Sequence, residues 1–120
     1  ENILFVGSTV NSRNMNATFV NCTFIRTTED SIASLSFVLS NILLTDCVFL
    51  GDYNGPIYGN PDQAAQPPFI LGRFSKATLV NCIFNNTRGF PTGALEVGPF
   101  ADVEITDTSF DRCVGSSAGA

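Results

Sequence analysis

Four stretches of this chain lie over one another: Ser8–Phe24 reads STVNSRNMNATFVNCTF, Ala33–Phe49 reads ASLSFVLSNILLTDCVF, Pro68–Phe84 reads PFILGRFSKATLVNCIF and Ala94–Phe110 reads ALEVGPFADVEITDTSF. They align without a gap, and their second halves share one template. It runs small or apolar residue, any residue, large apolar residue, Val or Thr, Asn or Asp, Cys or Thr, any residue, Phe. The columns are Ala17, Ile42, Ala77 and Val103; Phe19, Leu44, Leu79 and Ile105; Cys22, Cys47, Cys82 and Thr108; and Phe24, Phe49, Phe84 and Phe110. Apolar residues alternate with a period of two on both sides of Asn21, Asp46, Asn81 and Asp107. That pattern describes two short strands joined by a break, and Asn and Asp suit the break because their short side chains bond nearby backbone and tolerate left-handed dihedrals.

The Phe positions recur after 25, 35 and 26 residues. Such a period also suits helical or leucine-rich repeats, but β-branched and aromatic alternation with no run at helical spacing argues for strands. A rung of parallel strands gains its core only by lying against the next rung, so three or more are required, and four copies meet that need. The expectation is an all-β chain, a parallel β-helix (solenoid) of about four to five rungs over residues 1–120, with the Phe and Cys columns inside. The long interval contains residues 50–67, LGDYNGPIYGNPDQAAQP, rich in turn formers and read as an inserted surface loop. Asn2–Val10, NILFVGSTV, loosely fits Asn16–Phe24 at an offset of 14 residues and reads as an irregular or incomplete first rung. Both ends cut across a repeat, which suggests a segment of a longer solenoid.

Composition narrows the partners. Six basic and eleven acidic residues give a net charge of -5, with Lys and Arg scattered singly, so nucleic acid is not an expected partner. No apolar run approaches the ~18 residues of a membrane span.

The columns resemble the repeats of pectin-lyase-like right-handed parallel β-helices, and most closely those of the chlamydial polymorphic outer-membrane protein (adhesin) type. Repeats of that group carry a Gly-Gly-Ala-Ile element followed by Phe-x-x-Asn. Thr92, Gly93, Ala94 and Leu95 resemble the first element, and Gly119 and Ala120 stand where another copy would start. In the second element Thr87 and Cys113 replace the Asn. The resemblance implies a right-handed β-helix on a secreted or cell-surface protein.

The cysteine column reads first as a stack of buried thiols, since Thr108 takes the fourth place and thiols behave as small hydrophobes. A disulfide from Cys47 to Cys22 or to Cys82 also fits the ~4.8 Å rung spacing. Cys113 lies outside this column. Metal and cofactor are not expected: His is absent, and a single file of thiols cannot surround an ion. Asn16, Asn21 and Asn85 begin Asn-x-Thr triplets and are candidate glycosylation sites, Asn85 being expected to be the most accessible.

Catalysis on polysaccharide would need carboxylates converging on one groove. Asp46 and Asp107 share a column but lie two rungs apart, and Asp102 and Glu104 read as a solvated face able to pair with Lys76. The chain is therefore expected not to be an enzyme, the alternative being a piece of a polysaccharide lyase or glycoside hydrolase whose groove lies elsewhere. Outward positions say more. Leu43, Thr45, Val48, Thr78, Val80 and Ile83 form a candidate interaction face on two middle rungs, where a solvated rung would show polar residues. Threonine arrays on flat solenoids also suit ice, but Leu43, Val48 and Glu104 interrupt this one. The expected role is an extracellular or cell-surface structural or adhesive scaffold, stacked with further rungs or with copies of itself in a filament. Its other partners would be surface or matrix proteins or glycans.

Overall fold

The computed structural model describes residues 2–6, 10–25, 35–51, 67–89 and 92–115. In chain order its strands are β1 (Leu4–Val6), β2 (Val10–Arg13), β3 (Asn16–Val20), β4 (Thr23–Ile25), β5 (Leu35–Val38), β6 (Asn41–Thr45), β7 (Val48–Leu50), β8 (Phe69–Leu71), β9 (Lys76–Val80), β10 (Ile83–Asn85), β11 (Arg88–Gly89), β12 (Leu95–Val97), β13 (Asp102–Thr106), β14 (Ser109–Asp111) and β15 (Val114–Gly115). They form three main parallel sheets. A leading sheet has the order β12-β8-β5-β2, a middle sheet β13-β9-β6-β3, and a third, called here the Phe sheet, β1-β4-β7-β10-β14. A short pair, β11 with β15, closes the last two rungs. Each turn of chain visits leading, middle and Phe sheets in that order, which makes the molecule a right-handed parallel β-helix of four to five rungs.

Period-two alternation determines which side chains face in. In the middle sheet Ile42, Leu44, Ala77 and Leu79 are buried, and in the Phe sheet Phe24, Phe49 and Phe84 are buried. The rings of Phe5, Phe24, Phe49, Phe84 and Phe110 stack along the axis with centroid distances of 4.8, 4.7, 4.4 and 4.9 Å. Phe69, from the leading sheet, meets this column from the side at 82° to Phe49, and Phe37 of the same sheet packs on Phe69. Phe5 and Phe110 are only partly buried because each belongs to an outermost strand of the Phe sheet.

Three corners join the sheets, and the same device recurs at each. A residue with positive φ turns the chain, and the next residue is buried or partly buried everywhere except at Ile3 and Met15 in the first rungs. Asn14, Leu39, Phe74 and Phe100 serve the first corner; Asn2, Asn21, Asp46, Asn81 and Asp107 the second; Asn86 and Arg112 the third. At seven of these eleven positions the following residue is a Ser, Cys or Thr that gives its proton to the carbonyl two places back. Ser40 Oγ donates to Val38 O at 2.9 Å, Cys47 Sγ to Thr45 O at 3.4 Å, and Thr108 Oγ1 to Thr106 O at 3.0 Å. Without such partners the sharp bend would leave buried backbone groups unsatisfied. Cys113 thus occupies its own column, beside Thr87 at the third corner: Thr87 Oγ1 lies 3.3 Å from Cys113 Sγ and donates to Gly93 O at 2.7 Å.

The structure corrects the alignment in two places. Val10 pairs with Leu35, Leu35 with Phe69, and Phe69 with Leu95, whereas the gapless alignment puts Leu35 opposite Ile70 and Glu96. The first corner is one residue longer in the last two rungs, and Gly72 and Gly98 absorb the extra residue. Gly72 N donates to Phe37 O at 2.6 Å, an approach that a Cβ on Gly72 would obstruct. At the other end, Leu4–Val6 pairs with Thr23–Ile25, an offset of 19 residues in place of 14, and Val10 already belongs to the next rung. The loop bounds also shift. Leu50 ends β7, Pro67 and Pro68 are fully buried, and residues 52–66 lie outside the described residues.

Candidate functional site

Outward side chains of the middle and Phe sheets form one face that wraps around the second corner. In register, Leu43 lies beside Thr78, Thr45 beside Val80, and Val48 beside Ile83. The six residues expected to form an interaction face are therefore three adjacent pairs on two neighbouring rungs. Leu43 and Ile83 are the most open, 39% and 42% exposed, and the other four are half-buried. Thr18, Val20 and Thr23 extend the face by one rung. The sequence reading missed its far edge: Ile25 and Leu50 also point outward on the Phe sheet, one step past the Phe column. Carrying the alternation two residues further would have found them.

Towards the first corner this face becomes polar. Asn16, Thr18, Asn41, Leu43, Lys76 and Thr78 line a shallow depression on the middle sheet. Asn41 Nδ2 donates to Asn16 Oδ1 at 3.2 Å. Lys76 follows in the same column, with Asp102 beside it in register, yet no ion pair joins them; among the described residues the one ion pair is Arg112 with Asp111, 3.6 Å and solvent-exposed. The pairing with Lys76 open to Asp102 and Glu104 is thus not made, and both carboxylates are exposed. Amides, threonine hydroxyls and branched apolar groups thus share one broad open surface that offers hydrogen-bonding and apolar contacts side by side.

A second exposed feature also escaped the sequence reading. The positive-φ residues of the first corner include Leu39, Phe74 and Phe100, and the rings of Phe74 and Phe100 stack at 5.2 Å with 8° between planes. The signal was Gly-x-Phe, present at Gly72–Phe74 and again at Gly98–Phe100. The gapless alignment had superposed these triplets without giving them a meaning.

Cys22, Cys47 and Cys82 are buried in one file and Thr108, in the last rung, is partly open; all four cysteines of the chain are free thiols. Contact with the Cys82 thiol and burial push Cys47 well above the usual thiol range. Asn16 and Asn21 are exposed. Asn85 is not the most accessible triplet: it sits in β10 with its Oδ1 buried and without a hydrogen-bond partner, and Thr87 of its triplet is 1% exposed. Asp46 and Asp107 stand on the second corner with Asn81 between them, and Asn81 Nδ2 donates to Asp46 Oδ1 at 2.6 Å. Glu29, Asp30, Asp52 and Asp62 lie outside the described residues.

Comparison with family models, curated proteins and solved structures finds no match. The β-helix fold accordingly rests on the three repeating parallel sheets themselves. No helix long and apolar enough to cross a membrane is present among the described residues.

Proposed function

We propose that this chain is a segment of an extracellular structural or adhesive scaffold, a rod of stacked rungs that presents the outer face around Leu43, Val80 and Ile83. One observation carries the reading. In the last described rung Val97 and Ile105 are each 42% exposed, while their register partners Leu71 and Leu79, one rung inward, are fully buried. Open apolar columns and edge strands at the end of a stack favour a covering neighbour.

Further rungs of the same polypeptide fit that role better than a second copy. Among the described residues the Phe sheet has five strands and the other two main sheets have four each. A copy whose β1 lay on β14 would therefore leave one strand's width vacant in both other sheets. The spacing of the described carboxylates, with Asn81 standing between Asp46 and Asp107 in the one column they share, supports a structural reading over a catalytic one, and the exposed Asn16 and Asn21 support an extracellular setting.

Electron microscopy of the native material is the test. The expected image is a rod whose length exceeds the described rungs and whose axial repeat is about 4.8 Å. A short particle with a capped end beside β12–β14 overturns the stacking part. The adhesive part predicts that Leu43→Asp with Ile83→Asp leaves the circular dichroism unchanged and abolishes attachment to cell-surface or matrix preparations. Unchanged attachment would refute it.

A further inference from the structure

We propose that the edge of the last described rung is shaped for a rung with Asn at the corner over Asp107 and an aromatic ring over Phe110. The inference rests on the scaffold reading above and deepens it by naming the partner's chemistry. It comes from the second-corner column Asn2, Asn21, Asp46, Asn81 and Asp107, every member of which has φ between 50° and 57°. Side-chain bonds in this column run one way. Asn21 Nδ2 donates to Asn2 Oδ1 and Asn81 Nδ2 to Asp46 Oδ1, both at 2.6 Å, and each time the donor belongs to the later rung.

An ionised carboxylate has no proton to give, so Asp46 can only accept. The column thus pairs off as acceptor then donor: Asn2 with Asn21, Asp46 with Asn81. Asp107 is the next acceptor, exposed and without a hydrogen bond among the described residues. An amide over it would complete a third pair. A carboxylate there would set two like charges about 4.8 Å apart, the spacing of neighbouring strands. Backbone geometry points the same way, because the corner N–H donates to the carbonyl before the next corner residue, as Asn81 N does to Thr106 O at 2.9 Å. Three places on, Phe110 has the Phe84 ring on one face at 4.9 Å, and its other face carries no ring among the described residues. The partner rung therefore reads Asn, a small residue, any residue, then Phe.

The full chain supplies the test. Five residues, 116–120, follow β15, the same number as the 90–94 connection from β11 to β12, so a copy of residues 95–115 joined after Ala120 keeps the register spacing. One extended protein keeps Asp at the copy's corner and another carries Asn there. Both are unfolded in urea beside the parent chain. The expected result is that both extended proteins unfold at higher urea than the parent, the Asn version highest, with the gap between them vanishing at pH 3 and closing when Asp107→Asn is added to the Asp version. If both exceed the parent but are equal to each other at neutral pH, the Asn-over-Asp107 inference is overturned and stacking stands. If neither exceeds the parent, stacking itself is overturned.

Discussion

The rings of Phe49 and Phe84 lie face to face, 4.4 Å between centroids and 2° between planes, because β7 and β10 pair in parallel with these two residues directly opposite. In-register pairing forces identical side chains into contact, so the column adds ring stacking to burial, about 0.5–1.5 kcal/mol per pair beyond the area term. Phe84→Ala should therefore cost about 3–5 kcal/mol in urea unfolding. Phe110→Ala, in a partly open position, should cost about half as much. Equal losses at the two positions would show that rung order does not govern the core.

Gly72 predicts a backbone effect. A Cβ there would lie 2.7 Å from Phe37 O and from a Val38 methyl, whereas at Gly98 the nearest atom is 3.1 Å away. Gly72→Ala should destabilise by about 1–3 kcal/mol, and Gly98→Ala by under about 1 kcal/mol. Thermal melts of the two variants measure the difference. Similar melting temperatures would contradict the close approach.

The Phe, Cys and second-corner columns were legible in the sequence because one template repeats them without insertion, and a one-residue error there would have turned Phe49 or Leu44 outward. The first corner was not legible. Its extra residue, beside Gly72 and Gly98, keeps the chain in phase through a local backbone adjustment that leaves no mark on hydrophobic alternation. Leu4–Val6 was misread for another reason: the continuous apolar run Ile3–Val6 fits several offsets, and hydrogen bonding to β4 selects one. Of the candidate face, the six named residues were readable from period two alone. Asn85 was misjudged because an Asn in a polar stretch looks like a loop residue, whereas pairing with Leu50 and Asp111 makes it part of a strand.

Phe100 combines a φ of 58° with 80% exposure. Left-handed dihedrals cost an ordinary L-residue roughly 1–2 kcal/mol and Asn much less. Phe100→Asn gives up little burial and one ring contact, so it should raise the urea midpoint, equivalent to up to about 1 kcal/mol. A lower midpoint would mean that the Phe74–Phe100 stack outweighs the backbone strain.

Cys47 predicts a response to alkali. Its folded pKa is raised above the usual thiol range, first by contact with the Cys82 thiol and then by desolvation, while the same contact lowers Cys82 to about 7, so the folded pair keeps one proton in alkali. Above about pH 9 the unfolded chain releases this proton while the folded chain keeps it, so the unfolded state binds fewer protons and stability falls as pH rises. The contribution is fully present below the unfolded pKa. Urea unfolding between pH 9 and pH 10.5 should show a loss approaching about 1.4 kcal/mol per pH unit at the upper end, and replacing both Cys47 and Cys82 by Ala should flatten that limb. A limb of unchanged slope in the variant would assign the effect to other groups.

Between Phe49 and Phe84 the chain takes 35 residues to return to the same column, against 25 between Phe24 and Phe49, yet the rings meet at nearly the same spacing. Closing the longer circuit adds only about 0.3 kcal/mol of chain entropy, because that cost grows with the logarithm of length. Lengthening or shortening the excursion between β7 and β8 is thus close to neutral for folding. Chain entropy at this place therefore tolerates changes of length, up to a whole inserted module, while the rungs on either side keep their register.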